Sequence, residues 1–264
     1  MPPNTLSAAA AAILETASPE GKVTATRSAA AAWRSGAIET IGGTAPPARP
    51  ARPPHPLLLL PRDMPKRRHA GTSATRVALL HALAHIELNA IDLAWDIIAR
   101  FTATRMPQGF YDDWVRVADE EALHFDMLTR RLAALGAAYG DHPAHDGLWQ
   151  AAEETAHDLA ARLAIVPMVL EARGLDVTPS TIAHLRRAGD EDSATLLQTI
   201  YEDEITHVAA GTSWFEHLCA ERGLVPEAAW RDLVRRYFRG SLKPPFNAEA
   251  RVAAGFGAGY WEGI

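Results

Sequence analysis

The chain is predicted to be all-α, built on a four-helix bundle with one crossover connection. Three observations lead there. From residue 73 almost to the end, apolar residues recur at helical spacing, and no convincing strand pattern interrupts them. Four long helical segments stand out. One connection between them, GAAYGDHPAHDG at 136–147, is longer than the others, as a crossover needs.

Taken in order, residues 1–41 form an N-terminal helical segment. One or two short helices are expected over 5–36, with Ser18 as a cap, Pro19 in the first turn and Gly36 as a stop. Residues 42–72, GGTAPPARPARPPHPLLLLPRDMPKRRHAGT, hold too many prolines for a helix and predict an extended path. Leu57–Leu60 between Pro56 and Pro61 read as a docking segment, so this stretch is expected to lie as a strap across the domain.

The bundle itself is expected over 73–223. Its first helix runs from about 73 to 103 and its second from about 109 to 135, closed by Gly136. The third spans about 147–173, bent at Pro167 and closed by Gly174. A short helix at 179–188 leads through Gly189 into the fourth, about 190–222, closed by Gly223. Residues 224–264 supply a last helix at about 226–238 and a tail. Its Phe246, Phe256, Tyr260 and Trp261 would wrap this chain's bundle or that of a second subunit in a homodimer.

Composition sets outer bounds. The 264 residues are 48% hydrophobic, ample for a large core, and the net charge of −6 gives no pull toward nucleic acid or anionic membranes. Cys219 is the single cysteine, which excludes an internal disulfide and a thiolate zinc site and fits a reducing compartment. No apolar run is read as a membrane span, and the alanine-rich start lacks a basic leader, so the expected location is the cytoplasm.

The chemistry lies in YEDEITHVAAG at 201–211. Glu204 and His207 are three positions apart on the face that carries Ile200, Tyr201, Val208, Gly211 and Phe215. DEEALHFDML at 119–128 repeats the pattern with Glu121 and His124, among Trp114, Val117, Ala118, Phe125 and Leu128. Single acids on apolar faces complete the plan. Glu87 sits in LLHALAHIELNAIDLAW and Glu171 in LAIVPMVLEARGL. Glu87 precedes Glu121 by 34 residues and Glu171 precedes Glu204 by 33, so two hairpins carry the same donors in the same order.

Buried carboxylates held together repel one another and lose hydration, at a cost of several kcal/mol per ion. Two divalent cations remove that cost, because four glutamates balance two metals and two neutral imidazoles add nitrogen donors. Carboxylate and imidazole without thiolate suit iron, with manganese or a mixed manganese–iron pair as alternatives and zinc less favoured. One Glu from each of two helices and Glu-x-x-His from two others is the known pattern of dimetal carboxylate bundles. Glu120 and Asp203 are candidates to orient the histidines from behind, and Tyr201 to hydrogen-bond near Glu204.

Other polar groups are read as structural. Glu154 and His157 break the symmetry of the two hairpins. His81, His85, Asn89, Asp92 and Asp96 form a stripe nearly opposite Glu87, expected to be solvated or to bond the strap. His142, His145 and Asp146 in the crossover, and the basic PKRRH at 65–69, are read as loop residues.

HALAHIELNAIDLAWD, FYDDWVRVADEEALHFDML, YGDHPAHDGLW, LEARGLDVTP and IYEDEITHVAAG together resemble a domain-of-unknown-function branch of the ferritin-like superfamily in bacteria, over about residues 20–250. The resemblance implies a ferritin-like bundle whose metal pair is held by Glu87, Glu121, His124, Glu171, Glu204 and His207. It is distantly similar to di-iron enzymes that hydroxylate tRNA. The expected activity is therefore O2-dependent oxidation of an unidentified small molecule or modified nucleotide, fed by an electron donor. Ferroxidase, peroxide-scavenging or metal-handling activity, or a non-catalytic metal brace, are the alternatives.

Overall fold

A computed structural model describes residues 3–64 and 72–263. The basic PKRRH at 65–69 lies outside the described residues. The described chain is mostly helical and falls into two compact units, residues 1–149 and 150–264.

In the first unit, α1 (Leu6–Leu14) and α2 (Pro19–Arg34) start at side-chain caps on Thr5 and Ser18. The long helices α3 (Ser73–Arg100) and α4 (Gln108–Ala134) pack along one another, with α1 on α3 and α2 on α4. α3 opens with a reciprocal cap between Thr72 and Thr75. Contrary to the sequence reading, α3 is long and apolar enough to cross a membrane. Yet 67% of its apolar window is buried inside the protein, as in a core helix.

The proline-rich strap is held by polar contacts, not by its leucines. Leu57, Leu58 and Leu60 are 59%, 42% and 49% exposed, which corrects the expectation that they dock. Backbone pairing replaces that burial: Leu58–Leu59 (β1) runs parallel to Ala144–His145 (β2), a two-residue ladder that the sequence did not suggest. Upstream, Ala51 N–H donates to the Leu14 carbonyl at 2.7 Å, and Arg49 pairs with Asp146.

The strap's Arg52 reaches a stripe on α3 that is buried, not solvated. It donates to Asn89 Oδ1 at 2.6 Å and lies 2.8 Å from Asp92, which also takes Lys22 of α2. Asp96 binds Arg100, whose guanidinium also donates to the Pro47 carbonyl at 3.0 Å. His85 Nδ1 meets Tyr139 Oη at 2.8 Å, and His81 Nε2 accepts from Gly140 N–H at 2.9 Å. Asn89, Asp92 and Asp96 thus bond the strap directly or through Arg100, His81 and His85 bond the crossover instead, and solvation fails.

Helix α5 (Gly147–Glu154) leads out of the first unit. The second unit departs from the predicted third helix. The helix stops after α5 because Asp158 turns out to cap a new one, α6 (Leu159–Ile165), accepting from Ala160 N–H. Buried Arg162 closes the break by donating to Thr155 Oγ1 at 3.0 Å and to the Ala152 carbonyl at 2.6 Å. Val166–Glu171 then forms a π-helical segment, which continues as α7 (Ala172–Arg187). Pro167 has no N–H for the ordinary bond, and here the helix widens. Gly174 does not terminate it: its backbone stays right-handed, whereas Gly136 and Gly223 adopt the positive φ that ends α4 and the next helix.

That next helix, α8 (Glu191–Arg222), packs on α7 and α6, and α9 (Pro226–Tyr237) packs on α6. The tail adds α10 (Ala248–Ala253) and α11 (Ala258–Trp261). Phe256, Tyr260 and Trp261 are buried within their own unit, where Phe256 and Tyr260 both pack edge-on against Trp230.

Candidate metal centre

Antiparallel packing of α3 on α4 sets Glu87 against Glu121 and His124. Each of the three offers a ligand atom within 4.8 Å of those of the other two. His124 Nδ1 lies 3.6 Å from Glu87 Oε2 and 3.5 Å from Glu121 Oε2. Glu87 is 4% exposed, and Glu121 and His124 are fully buried. The turns beside Glu121 carry Ala118, Ala122 and Phe125, all buried, so the cluster lies against apolar side chains on this helix.

The electrostatics follow from that burial. Desolvation, then the charge of Glu121, hold the Glu87 carboxyl well above the usual carboxylate range. Burial opposes a charge on His124, but hydrogen bonds and attraction from Glu121 and Glu87 outweigh it and push the imidazole up to about 11. Protons take the place of cations in this arrangement. The donor set fits a divalent metal, which would balance the carboxylates while leaving the imidazole neutral.

The second unit carries the second set. Glu204 is partly buried and His207 fully buried on α8, with His207 Nδ1 3.7 Å from Glu204 Oε1. Glu171 occupies the last position of the π segment, on the helix that packs along α8. π turns recur at functional sites because they rotate one side chain away from its α-helical direction.

The residues expected to support these ligands have other partners too. Glu120 accepts from Arg116 at 2.8 Å. Tyr201 Oη accepts from Asn247 Nδ2 at 2.9 Å, which ties it to the tail. Asp203 is partly buried, and its carbonyl accepts from Thr206 Oγ1. The third Glu-x-x-His pair has its own partners: Glu154 pairs with Arg239, and His157 meets Tyr237 Oη at 2.9 Å. In the crossover, His142 packs edge-on against His81, the carbonyl of His145 faces His85, and Asp146 binds the strap.

Residues 15–262 match the family model described as "Protein of unknown function (DUF455)". The chain belongs to the DUF455 family. A relative in Haemophilus influenzae, which bears the name "Uncharacterized protein", is 43% identical over 211 residues, covering 78% of this chain and 73% of its own length. No solved structure matches the chain. The DUF455 match takes in both Glu-x-x-His pairs, the strap and nearly all of the tail.

Within this DUF455 chain the sequence reading passed over Asn247 and Asp176. Asp176 accepts from Arg251 through both carboxylate oxygens, at 2.8 and 2.7 Å, and from Asn247 N–H at 2.9 Å. Arg251 also lies 5.0–5.4 Å from the ring centres of Phe246, Phe256 and Trp261. Pro179, expected to open a separate short helix at 179–188, instead lies inside α7, three residues beyond Asp176.

Proposed function

We propose that this protein is a ferritin-like four-helix bundle with a carboxylate-bridged dimetal centre. In this reading it works as a di-iron oxidase or oxygenase. Glu87, Glu121 and His124 supply one half of the ligand set, and Glu171, Glu204 and His207 supply the other. Glu121 and Glu204 would lie between the two metals, and Glu87 and Glu171 would each hold one of them. The observation that carries the reading is the buried Glu87–Glu121–His124 cluster. The second set repeats the same residue types in the same order at nearly the same spacing.

Ferrous iron bound at such a centre supplies the electrons for O2 reduction. The chain's own groups do the remaining work. Four carboxylates hold and neutralise the cations, and neutral imidazoles complete the donor set. The buried alanine and phenylalanine side chains beside Glu121 exclude bulk water. Manganese or a mixed pair would suit the same donors. The substrate is an organic small molecule or modified nucleotide, reduction comes from a separate donor, and the location is the reducing cytoplasm, consistent with the buried thiol of Cys219.

The test is anaerobic loading with Fe(II), followed by a single exposure to O2. Two irons per chain with O2 uptake support the reading, and Glu121→Ala is expected to abolish both. Many irons per chain would indicate storage. Two tightly held metals inert to O2 and peroxide would leave only a structural brace. Failure to bind any metal ends the proposal.

A further inference from the structure

Pro179 lies inside α7 and has no N–H. The carbonyl it would have satisfied, four residues back, is that of Leu175. That carbonyl is taken by the tail: Asn247 Nδ2 donates to Leu175 O at 3.1 Å. The same amide nitrogen donates to Tyr201 Oη on α8 at 2.9 Å. Both protons of one side-chain amide are thus spent on two different helices. Asn247 Oδ1 caps α10 by accepting from Ala250 N–H, and its backbone N–H is fixed by Asp176.

The location gives this bridge its meaning. Leu175 is four residues beyond Glu171 and Tyr201 three before Glu204, each about one helical turn from a candidate ligand. Adhesion of the tail does not require such a bridge. The Arg251–Asp176 pair and the three rings around Arg251 already anchor it. We infer that Asn247 is a positioning residue: through Leu175 O and Tyr201 Oη it sets the spacing of α7 and α8 at the level of Glu171 and Glu204, so that the tail tunes metal affinity. This rests on the dimetal reading above.

The experiment titrates the metal-free protein with Mn(II), reading free Mn(II) by its electron paramagnetic resonance signal, and follows metal-free melting by circular dichroism. Asn247→Ser keeps a residue able to cap α10 but loses both amide donors. Tyr201→Phe removes only the accepting hydroxyl. Each is expected to weaken Mn(II) binding about three- to tenfold, the worth of one or two hydrogen bonds. The double variant should bind no more weakly than the worse single variant. Arg231→Ala cuts α9 from the carbonyls of Gly259, Tyr260 and Glu262 and loosens the same tail, but should leave affinity unchanged.

Wild-type affinity in Tyr201→Phe and Asn247→Ser overturns the positioning role and leaves the dimetal reading standing. So does a loss in Arg231→Ala as large as theirs, because affinity would then merely follow tail stability. If wild type binds no Mn(II) or Fe(II), the dimetal reading falls and the positioning role falls with it. Should Asn247→Ser fail to fold, Tyr201→Phe alone decides between these outcomes.

Discussion

Gly211 faces Pro167 with no room for a methyl group: a Cβ on Gly211 would fall 2.5 Å from Pro167 Cβ and 2.6 Å from its Cγ. Gly211 is one turn beyond His207, and Pro167 is four residues before Glu171. The close approach therefore joins α8 to the π segment between two candidate ligands.

Gly211→Ala tests it. Helix propensity alone favours alanine by about 1 kcal/mol. Overpacking against the pyrrolidine ring works the other way, by about 1–3 kcal/mol. The expected result is a lower melting temperature and weaker metal binding. A more stable variant would show that the two helices separate freely.

A second prediction concerns the interior ion cluster. Asp92 is buried with Lys22 and in contact with Arg52. Asp92→Ala strands two cations and should cost about 3–5 kcal/mol in urea denaturation, the usual penalty for breaking a buried pair from one side. Replacing Lys22 with Met in the same chain removes one stranded charge, and part of the loss should return.

Acid should unfold the protein early. Burial, and then the field of His142, lower His81 to about 4; burial, and then Arg52, lower His85 to about 3. In the unfolded chain both titrate near 6.5, so between these values the unfolded state binds more protons. The contribution is complete above pH 6.5 and is lost as pH falls toward 4. His85→Gln should flatten the decline of urea midpoint with pH. An unchanged slope would remove His85 from this account.

Metal loading should release protons. Glu87 sits above the usual carboxylate range and His124 near 11, so the metal-free cluster retains protons at neutral pH that a cation must displace. Affinity should rise with pH, and a weakly buffered indicator should report acid on adding Fe(II) or Mn(II). His124→Ala is expected to reduce the release, because the proton on Glu87 remains to be displaced. Loading without any proton release would contradict the assigned ligands.

Much of this was legible in the sequence, and the exceptions have physical causes. The limits of α4 and α8 were read to within a residue or so because their ends are local signals, Gly136 and Gly223 among them. Glu87, Glu121 and His124 were likewise visible, since helical spacing put them on apolar faces. The 147–188 region was misread because an Asp158 cap, a π segment and a right-handed Gly174 each override the simple period. The burial of the α3 stripe is not legible locally, because what covers it lies far away in sequence. Lys22 is 70 residues from Asp92, and Arg52 is 37 from Asn89. Asn247 escaped notice for the same reason, being 72 residues from Leu175 and 46 from Tyr201.

The widened turn at Val166–Glu171 also sets the direction in which Glu171 leaves the helix. A π turn accommodates an additional residue relative to an α turn, and each residue of an α-helix advances the chain by about 100°. Tightening the same residues into regular α geometry, with none removed, would swing Glu171 through roughly a quarter of a revolution. Deleting one residue as the coil tightens would undo most of that rotation, so a gap of one should be borne better here than in α8 between Glu204 and His207.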